Sequence, residues 1–346
     1  MSSDVTRVMV ALAGLNADHL ARIRSVSPRL DVIVASRTAL SELGAALATN
    51  APVEVLLSDG LPHPWRSDGS LRWVQSASVG LDQQVHSPIW TDPRVIVTTA
   101  SGVYGAAISQ WVLAVILYFA VGLDEQLAFR RTRQWPAQAT LRSRLLAGQT
   151  LGILGYGSIG RECARLGRAL GMRVIATRSG GQVAGGTPPV ERFEPRSVAQ
   201  RSPLCGPLEI LPGSEAGRVL SESDYVVIAA PLTDQTRGLI GRPALQTMRP
   251  TAIVINVSRG ELVDEEALVE ALAAHTLAGG ALDVFAREPL PAESPLFDAP
   301  NLLLSPHASG AFRELWDLVV ELFCTNLERY LAGRPLLNVA DRERGY

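Results

Sequence analysis

Apolar residues in this chain fall into short runs separated by stretches of helical spacing. In the first hundred residues the runs are Val8 to Ala13, Val32 to Ala35, Val53 to Leu57, Trp73 to Ser76 and Val95 to Thr98. They are short, and several are rich in Val, Leu and Ile, as buried parallel strands are. Leu15 to Val26 and Leu40 to Leu47 lie between the first three and carry helical spacing. Strand alternating with helix predicts an α/β domain on a parallel sheet. Ala106 to Leu127 predicts one long helix, apolar on most faces, which must be buried between layers or against another subunit. A second alternation starts at Leu151. Its strands are predicted at Leu151 to Leu154, Arg173 to Thr177, Tyr225 to Ala230, Ile253 to Val257, Leu277 to Val284 and Leu302 to Ser305, and Ala311 to Leu331 is a closing amphipathic helix. Asp264 is placed to cap the helix that runs through Ala274. Gly180 to Gly217 is rich in Gly, Pro and Ser, is too long for an ordinary connection, and reads as a partly mobile surface insertion without chemistry. The fold class expected is α/β, with two doubly wound parallel-sheet domains.

Composition narrows the class of protein. The 346 residues suffice for two domains. Hydrophobic residues at 47% and charged residues at 19% describe a globular protein. A formal net charge of -2 gives no basic surplus for binding nucleic acid. Cys163, Cys205 and Cys324 are odd in number and irregular in spacing, which suggests reduced thiols in a cytoplasmic protein and no metal cluster. The N-terminal residues lack the basic region and cleavage site of a signal peptide. The most apolar run, Trp111 to Leu123, is shorter than the roughly 20 residues of a membrane span. No membrane partner is expected.

The stretch Leu151 to Gly171 carries the first chemical signal. A strand runs into Gly155-Tyr156-Gly157-Ser158-Ile159-Gly160, and helical spacing follows through Ile159, Cys163, Leu166 and Leu170. Strand, glycine turn and helix form the context of a dinucleotide-binding fingerprint. Gly155 permits the tight turn, Gly157 lets backbone approach a pyrophosphate, and Gly160 lets helix pack on strand. The free amides at the helix start hold phosphate. At the end of the next strand an NAD-specific site places an acidic residue about 20 positions on, to bind the ribose 2′-hydroxyl. Here Arg178 stands 23 positions after Gly155, followed by Ser179. Arginine cannot accept from a hydroxyl but can pair with a 2′-phosphate, so the cofactor is NAD(P) with a lean to NADP. An arginine that only stacks on adenine is the alternative.

Further polar residues stand just past predicted strands, where an open parallel sheet binds its ligands. Ser78-Val79-Gly80 follows the fourth run and is either a ligand-binding turn or merely a turn. Arg259, Glu288 and His307 follow three later runs. Arginine can hold a carboxylate through two parallel hydrogen bonds. Histidine exchanges a proton near neutrality, and a neighbouring carboxylate favours its charged form and orients it. Together they suit reversible hydride transfer between a nicotinamide and a carbonyl beside a carboxylate. Taken singly, each is also readable as a surface ion pair, a structural histidine or a turn cap.

Over nearly its whole length the sequence resembles the D-isomer-specific 2-hydroxyacid dehydrogenases. The resemblance rests on Leu154 to Gly160, on Pro231-Leu232-Thr233 with Thr236, and on Asn256-Val257-Ser258-Arg259-Gly260. It continues in Ala281 to Phe285 with Glu288-Pro289, in Ser305-Pro306-His307, and in Asn326-Leu327 with Gly333 and Pro335. It implies a Rossmann-type cofactor domain, residues 103–305, inserted into a flavodoxin-like substrate domain made of residues 1–102 and 306–346. It implies that the long helix supports a homodimer. Arg259 would bind the substrate carboxylate and polarise its carbonyl, His307 would exchange the proton, and Glu288 would hold His307 and raise its pKa. The amides of Val79 and Gly80 would help to seat the carboxylate. Ser158 and Ile159 would touch the pyrophosphate and Asp283 the nicotinamide amide. Tyr156, Pro231, Thr236 and Val257 complete the cofactor set by their place in the motifs.

The sequence also departs from the family pattern. Gln110 stands where many relatives carry glutamate. Glu288 argues against the formate dehydrogenase branch, which pairs glutamine with its histidine. No regulatory domain follows Tyr346, which weakens a serine-biosynthetic phosphoglycerate dehydrogenase reading. The expected function is an oxidoreductase that moves a hydride between NAD(P)H and a small 2-oxo acid, of the glyoxylate or hydroxypyruvate reductase type. The alternatives are an NAD-dependent dehydrogenase of a bulkier 2-hydroxy acid and a non-catalytic nicotinamide-sensing protein of the same fold.

Overall fold

The computed structural model describes residues 5–35, 40–49, 52–63, 65, 69–135, 143–178, 192–195 and 207–345. The chain divides into two compact units. The first takes residues up to Tyr104 and from Phe312 onward, with 192–195 added; the second takes Gly105 onward to Ala311 without them.

The first unit begins β1 (Thr6–Ala11), α1 (Ala17–Ser25), β2 (Leu30–Val34), α2 (Leu40–Thr49) and β3 (Val55–Ser58). It goes on with β4 (Trp73–Ser76), α3 (Pro88–Thr91) and β5 (Ile96–Thr98). All pairings are parallel, in the order β2-β1-β3-β4-β5. β3 and β4 are buried along their whole length, as strands covered on both faces must be. Asn16 caps α1: its side chain accepts from His19 N at 2.9 Å, and the Asn16 amide donates back to His19 Nδ1 at 3.1 Å.

The second unit opens with α4 (Gly105–Val121) and α5 (Leu123–Thr132). The single helix expected over Ala106 to Leu127 is therefore two helices bent by 68°. Gly122 takes φ of 64° between them, a left-handed conformation that ends a right-handed helix and that glycine adopts at no steric cost. Within the single chain α4 buries Ile108, Val112, Val115 and Ile116, and Leu117, Leu123, Leu127 and Phe129 are exposed. Among the described residues no single helix is long and apolar enough to cross a membrane.

Then come β6 (Thr150–Leu154), α6 (Ser158–Ala169), β7 (Arg173–Arg178), β8 (Leu208–Pro212), α7 (Ala216–Glu222) and β9 (Tyr225–Ile228). They are followed by α8 (Arg242–Thr247), β10 (Ile253–Asn256), α9 (Glu265–Ala273), β11 (Gly279–Leu282) and β12 (Leu302–Leu304). The sheet order is β12-β11-β10-β9-β6-β7-β8, all parallel. Order reverses between β6 and β9, and the crevice outside the carboxyl ends at such a switch point is where open α/β sheets bind ligands. Asp264 caps α9 as expected, accepting from Ala267 N at 3.0 Å.

The last helix, α10 (Leu315–Leu331), returns to the first unit. Trp73 of β4 is fully buried and stacks on Phe323 and Tyr330 of α10 with ring centroids 5.2 and 5.5 Å apart. Its indole donates to Thr98 Oγ1 at 2.8 Å, Thr98 donates to Gln75 Oε1 at 2.9 Å, and Asn326 Nδ2 reaches the same oxygen at 3.0 Å. The buried polar atoms of the core thus pair with one another, as burial demands.

The surface insertion expected over Gly180 to Gly217 needs correction where it is described. Leu208–Pro212 is the edge strand of the second sheet. Phe193 is buried in the first unit's core, and its amide donates to Asn338 Oδ1 at 3.0 Å. Gly102 makes room for it: at φ of 96°, a Cβ there would come within 2.3 Å of the Phe193 carbonyl oxygen. Most of the remaining segment, with Cys205, lies outside the described residues.

Candidate functional site

The glycine turn leaves β6 and enters α6. Gly155 has φ of 104°, and a Cβ there would sit 2.5 Å from the Ala230 amide nitrogen. A Cβ on Gly160 would lie 2.2 Å from Gly155 O, so the helix rests directly on the turn. A Cβ on Gly157 would meet nothing within 4 Å. The first and third glycines are required by protein packing, whereas the second faces open space at the start of α6. Gly157 is the N-cap of α6 and supplies no side-chain hydrogen bond. Backbone amides and a helix dipole aimed at an open surface bind phosphate, so the residues present fit a dinucleotide. Ser158 and Ile159 form the first turn of α6, and the Tyr156 amide is held by Thr177 O at 2.8 Å.

Arg178 ends β7 and is exposed, in register with Pro212 of β8. Ser179 lies outside the described residues. After β9, Pro231 and Thr236 close a tight turn. Thr236 Oγ1 donates to Pro231 O at 2.7 Å and accepts from Thr233 N at 2.8 Å.

Arg259 follows β10. Asn256, fully buried at the end of that strand, donates to Arg259 O at 2.8 Å and accepts from Ser258 N at 3.1 Å. Ser258 Oγ donates to Ala230 O, tying this loop to the one after β9. Val257 is buried between them. Gly260 packs on the chain after β11: a Cβ would stand 1.8 Å from Phe285 C and 2.1 Å from Ala286 N. Glu265, at the start of α9, accepts from Ala286 N at 2.7 Å. Burial pushes the Glu265 carboxyl above the usual carboxylate range, with the backbone bond from Ala286 opposing the rise.

That same chain carries Glu288. Its Oε1 accepts from Phe285 N at 3.0 Å and its Oε2 lies 2.8 Å from His307 Nδ1. A carboxylate can only accept, so Nδ1 carries the proton and Nε2 is the nitrogen left to act. Both side chains keep contact with solvent. His307 takes φ of 51°, uncommon for a residue with a side chain. Its amide donates to Asp283 O at 2.7 Å.

Asp283 is 1% exposed. Its carboxylate accepts from Ala308 N at 2.8 Å and from Ser309 N at 3.0 and 3.1 Å, and from the hydroxyls of Ser305 and Ser309. The side chain assigned by resemblance to the nicotinamide is therefore wrapped in the loop that bears His307. Arg259, Glu288 and His307 are joined through Gly260, Phe285 and Asp283 into one assembly at the carboxyl ends of β10, β11 and β12. Sequence reading did not find Asn256, Gly260 or Glu265 as supports of it. A buried asparagine at a strand end was the available signal for the first.

In the first unit, Val79 and Gly80 follow β4 and are half-buried. Their amides make no hydrogen bond among the described residues. Ser78 is fixed beside them, its amide donating to Ser76 Oγ at 3.0 Å.

Among the described residues no group of His, Cys, Asp and Glu is arranged to hold a metal. The assembly offers an imidazole held by a carboxylate and a loop that carries a guanidinium, groups able to exchange a proton and pair with an anion, and the glycine turn before α6 fits a phosphate. Known proteins agree. Residues 113–200 and 210–309 match the family model of the D-isomer specific 2-hydroxyacid dehydrogenase NAD binding domain. A glyoxylate reductase of Aeropyrum pernix is 35% identical over 79% of this chain and 77% of its own length. One from Korarchaeum cryptofilum is 32% identical over the same shares. The crystal structure of a D-isomer specific 2-hydroxyacid dehydrogenase from Xanthobacter autotrophicus, in complex with NADPH and MES, is 26% identical. It superposes with a TM-score of 0.77, covering 99% of this chain and 100% of that one.

Proposed function

Because the chain belongs to the D-isomer-specific 2-hydroxyacid dehydrogenases and is a 2-oxo acid reductase using NAD(P)H, we propose that it reduces glyoxylate and hydroxypyruvate with NADPH as the preferred donor. The observation that carries this reading is the coupling of His307 to Glu288 at 2.8 Å within the assembly that also holds Arg259. The names of the relatives support the small substrates. Arg178, exposed at the end of β7 where an acidic residue would bind a 2′-hydroxyl, supports NADPH, as does the NADPH bound to the Xanthobacter relative.

Gly155, Tyr156, Gly157, Ser158, Ile159 and Gly160 would hold the pyrophosphate, with Arg178 on the 2′-phosphate. When bound, the reduced dinucleotide supplies a hydride to the substrate's carbonyl carbon. Arg259 pairs with the substrate carboxylate and draws electron density from the neighbouring carbonyl. His307 Nε2 delivers the proton to the carbonyl oxygen, so that the product is a 2-hydroxy acid. Glu288 fixes the ring through Nδ1 and balances the imidazolium before proton transfer. In the reverse direction neutral His307 takes the hydroxyl proton. The amides of Val79 and Gly80, which lack protein partners among the described residues, would receive the substrate carboxylate.

The protein would work as a cytoplasmic homodimer. Exposed Leu117, Leu123, Leu127 and Phe129 on α4 and α5 supply apolar surface for a second copy. The function is tested by following loss of NADPH and, separately, NADH with glyoxylate, hydroxypyruvate, pyruvate and a branched or aryl 2-oxo acid. Faster oxidation of NADPH with the two small acids is expected. Binding of NAD(P)H without turnover of any 2-oxo acid would overturn the reading.

A further inference from the structure

The first unit carries a charged group that the reaction above does not use. Asp59 is the residue after β3, at the carboxyl end of the central strand of its sheet. The register Ser58↔Ser76 sets it alongside Ala77, two residues before Val79. The turn around it is anchored. Ser58 Oγ donates to Gly60 O at 2.6 Å, and Leu61 N donates to Gln84 Oε1 at 2.6 Å. The Asp59 carbonyl accepts from Ser78 Oγ at 2.8 Å and from Ser76 Oγ at 3.3 Å. Its backbone is thereby locked to the turn that leads into Val79 and Gly80. Tyr104 borders the same corner, donating to Ala77 O at 2.8 Å. Burial, with the Asp59 charge added, pushes that phenol up to about 12.

The Asp59 carboxylate itself makes no hydrogen bond or ion pair among the described residues. The residue keeps access to solvent, yet partial burial raises its carboxyl above the usual carboxylate range. A carboxylate is an acceptor only. Carried on a backbone anchored at its carbonyl and without a partner of its own among the described residues, it gains from a donor and opposes a second negative charge. An analogue that lacks the donor leaves such an acceptor unpaired, which is how a polar site discriminates.

We infer that Asp59 reads the substituent on carbon 3 of the 2-oxo acid, accepting a hydrogen bond from a hydroxyl or ammonium group there and repelling a second carboxylate. The inference rests on the proposed seating of the substrate carboxylate at Val79 and Gly80. It makes hydroxypyruvate a better substrate than pyruvate, and oxaloacetate a poor one, for a reason local to this unit.

The test compares kcat/KM for hydroxypyruvate, pyruvate and oxaloacetate in the wild type, Asp59→Asn and Asp59→Ala. The hydroxypyruvate-to-pyruvate ratio is expected to fall about tenfold in Asp59→Ala. It falls less in Asp59→Asn, which keeps a neutral acceptor. The oxaloacetate-to-pyruvate ratio rises in both. Calorimetric binding of D-glycerate against D-lactate, without turnover, moves in the same direction. Ratios that stay constant in both variants, with 2-oxo acid turnover intact, overturn the role of Asp59 and leave the reductase reading standing. Absence of turnover of any 2-oxo acid by wild-type protein that binds NADPH overturns the reductase reading and this inference with it.

Discussion

Gly260 rests against Phe285 so closely that a Cβ on the glycine would lie 1.8 Å from the Phe285 carbonyl carbon. The contact is backbone against backbone, and it sets the loop bearing Arg259 against the segment bearing Glu288. Gly260→Ala is expected to push these apart. A clash with main chain cannot be relieved by turning a side chain, so a loss of about 1–3 kcal/mol in stability is expected. Activity should fall more than the melting temperature alone accounts for. Thermal unfolding followed by steady-state kinetics below the transition checks this, and a variant with wild-type kcat/KM would remove the contact from the working site.

Replacing the proton donor should act on chemistry and spare cofactor binding. His307→Ala is expected to lower kcat by about 10²–10⁴-fold, with NADPH affinity, read by fluorescence titration, changed little. Glu288→Gln keeps an acceptor for Nδ1 but loses the charge, so its loss should be smaller than that of His307→Ala. A His307→Ala enzyme with normal kcat would show that the proton comes from elsewhere.

Asp283 gathers the loop that carries His307. In Asp283→Asn one carboxylate oxygen becomes an NH₂ group facing N–H and O–H donors. Leaving such buried groups unsatisfied costs about 1–3 kcal/mol. Both the melting temperature and kcat are expected to fall, and faster hydrogen exchange at the Ala308 and Ser309 amides would identify the loosened loop. Unchanged protection there would mean that the carboxylate is dispensable to the loop.

Arg178→Asp reverses the charge beside the expected 2′-phosphate. NADPH should bind more weakly and NADH should not, which shifts the NADPH-to-NADH ratio of kcat/KM by about tenfold or more. Equal effects on the two cofactors would leave Arg178 without a part in discrimination.

Cys163, fully buried on α6, is pushed up to about 12 by burial. A raised thiol pKa keeps the unreactive protonated form throughout the neutral range. N-ethylmaleimide at neutral pH is therefore expected to leave Cys163 unlabelled in native protein and to label it in urea, as read by peptide mass spectrometry. Rapid native labelling would contradict its burial.

What the sequence determined by itself is local. Gly155, Gly157 and Gly160 could be given separate roles because a left-handed turn, an open approach and a close helix contact each demand glycine within six residues. Asp264 as a cap and the Val-, Leu- and Ile-rich strands were legible for the same reason, since each requirement is met by neighbours along the chain. The strand-end placement of Arg259 and His307 followed from those strands.

The tertiary structure decided what depends on residues far apart. Gly122 sits in an apolar stretch that continues helical spacing, and nothing local reveals that its φ is 64°. β8 lacks a period because it is an edge strand with a mixed pattern of burial, and pairing with β7 makes it a strand. Phe193 lies in a Gly-, Pro- and Ser-rich segment, yet Gly102 and Asn338 give it a place in a core. The Asp283 carboxylate meets Ala308 and Ser309, 25 and 26 positions away, and Asp59 stands alongside Ala77 through the pairing of β3 with β4. A side chain's partner across such distances is set by how strands order and pack in the sheet, which no local spacing encodes.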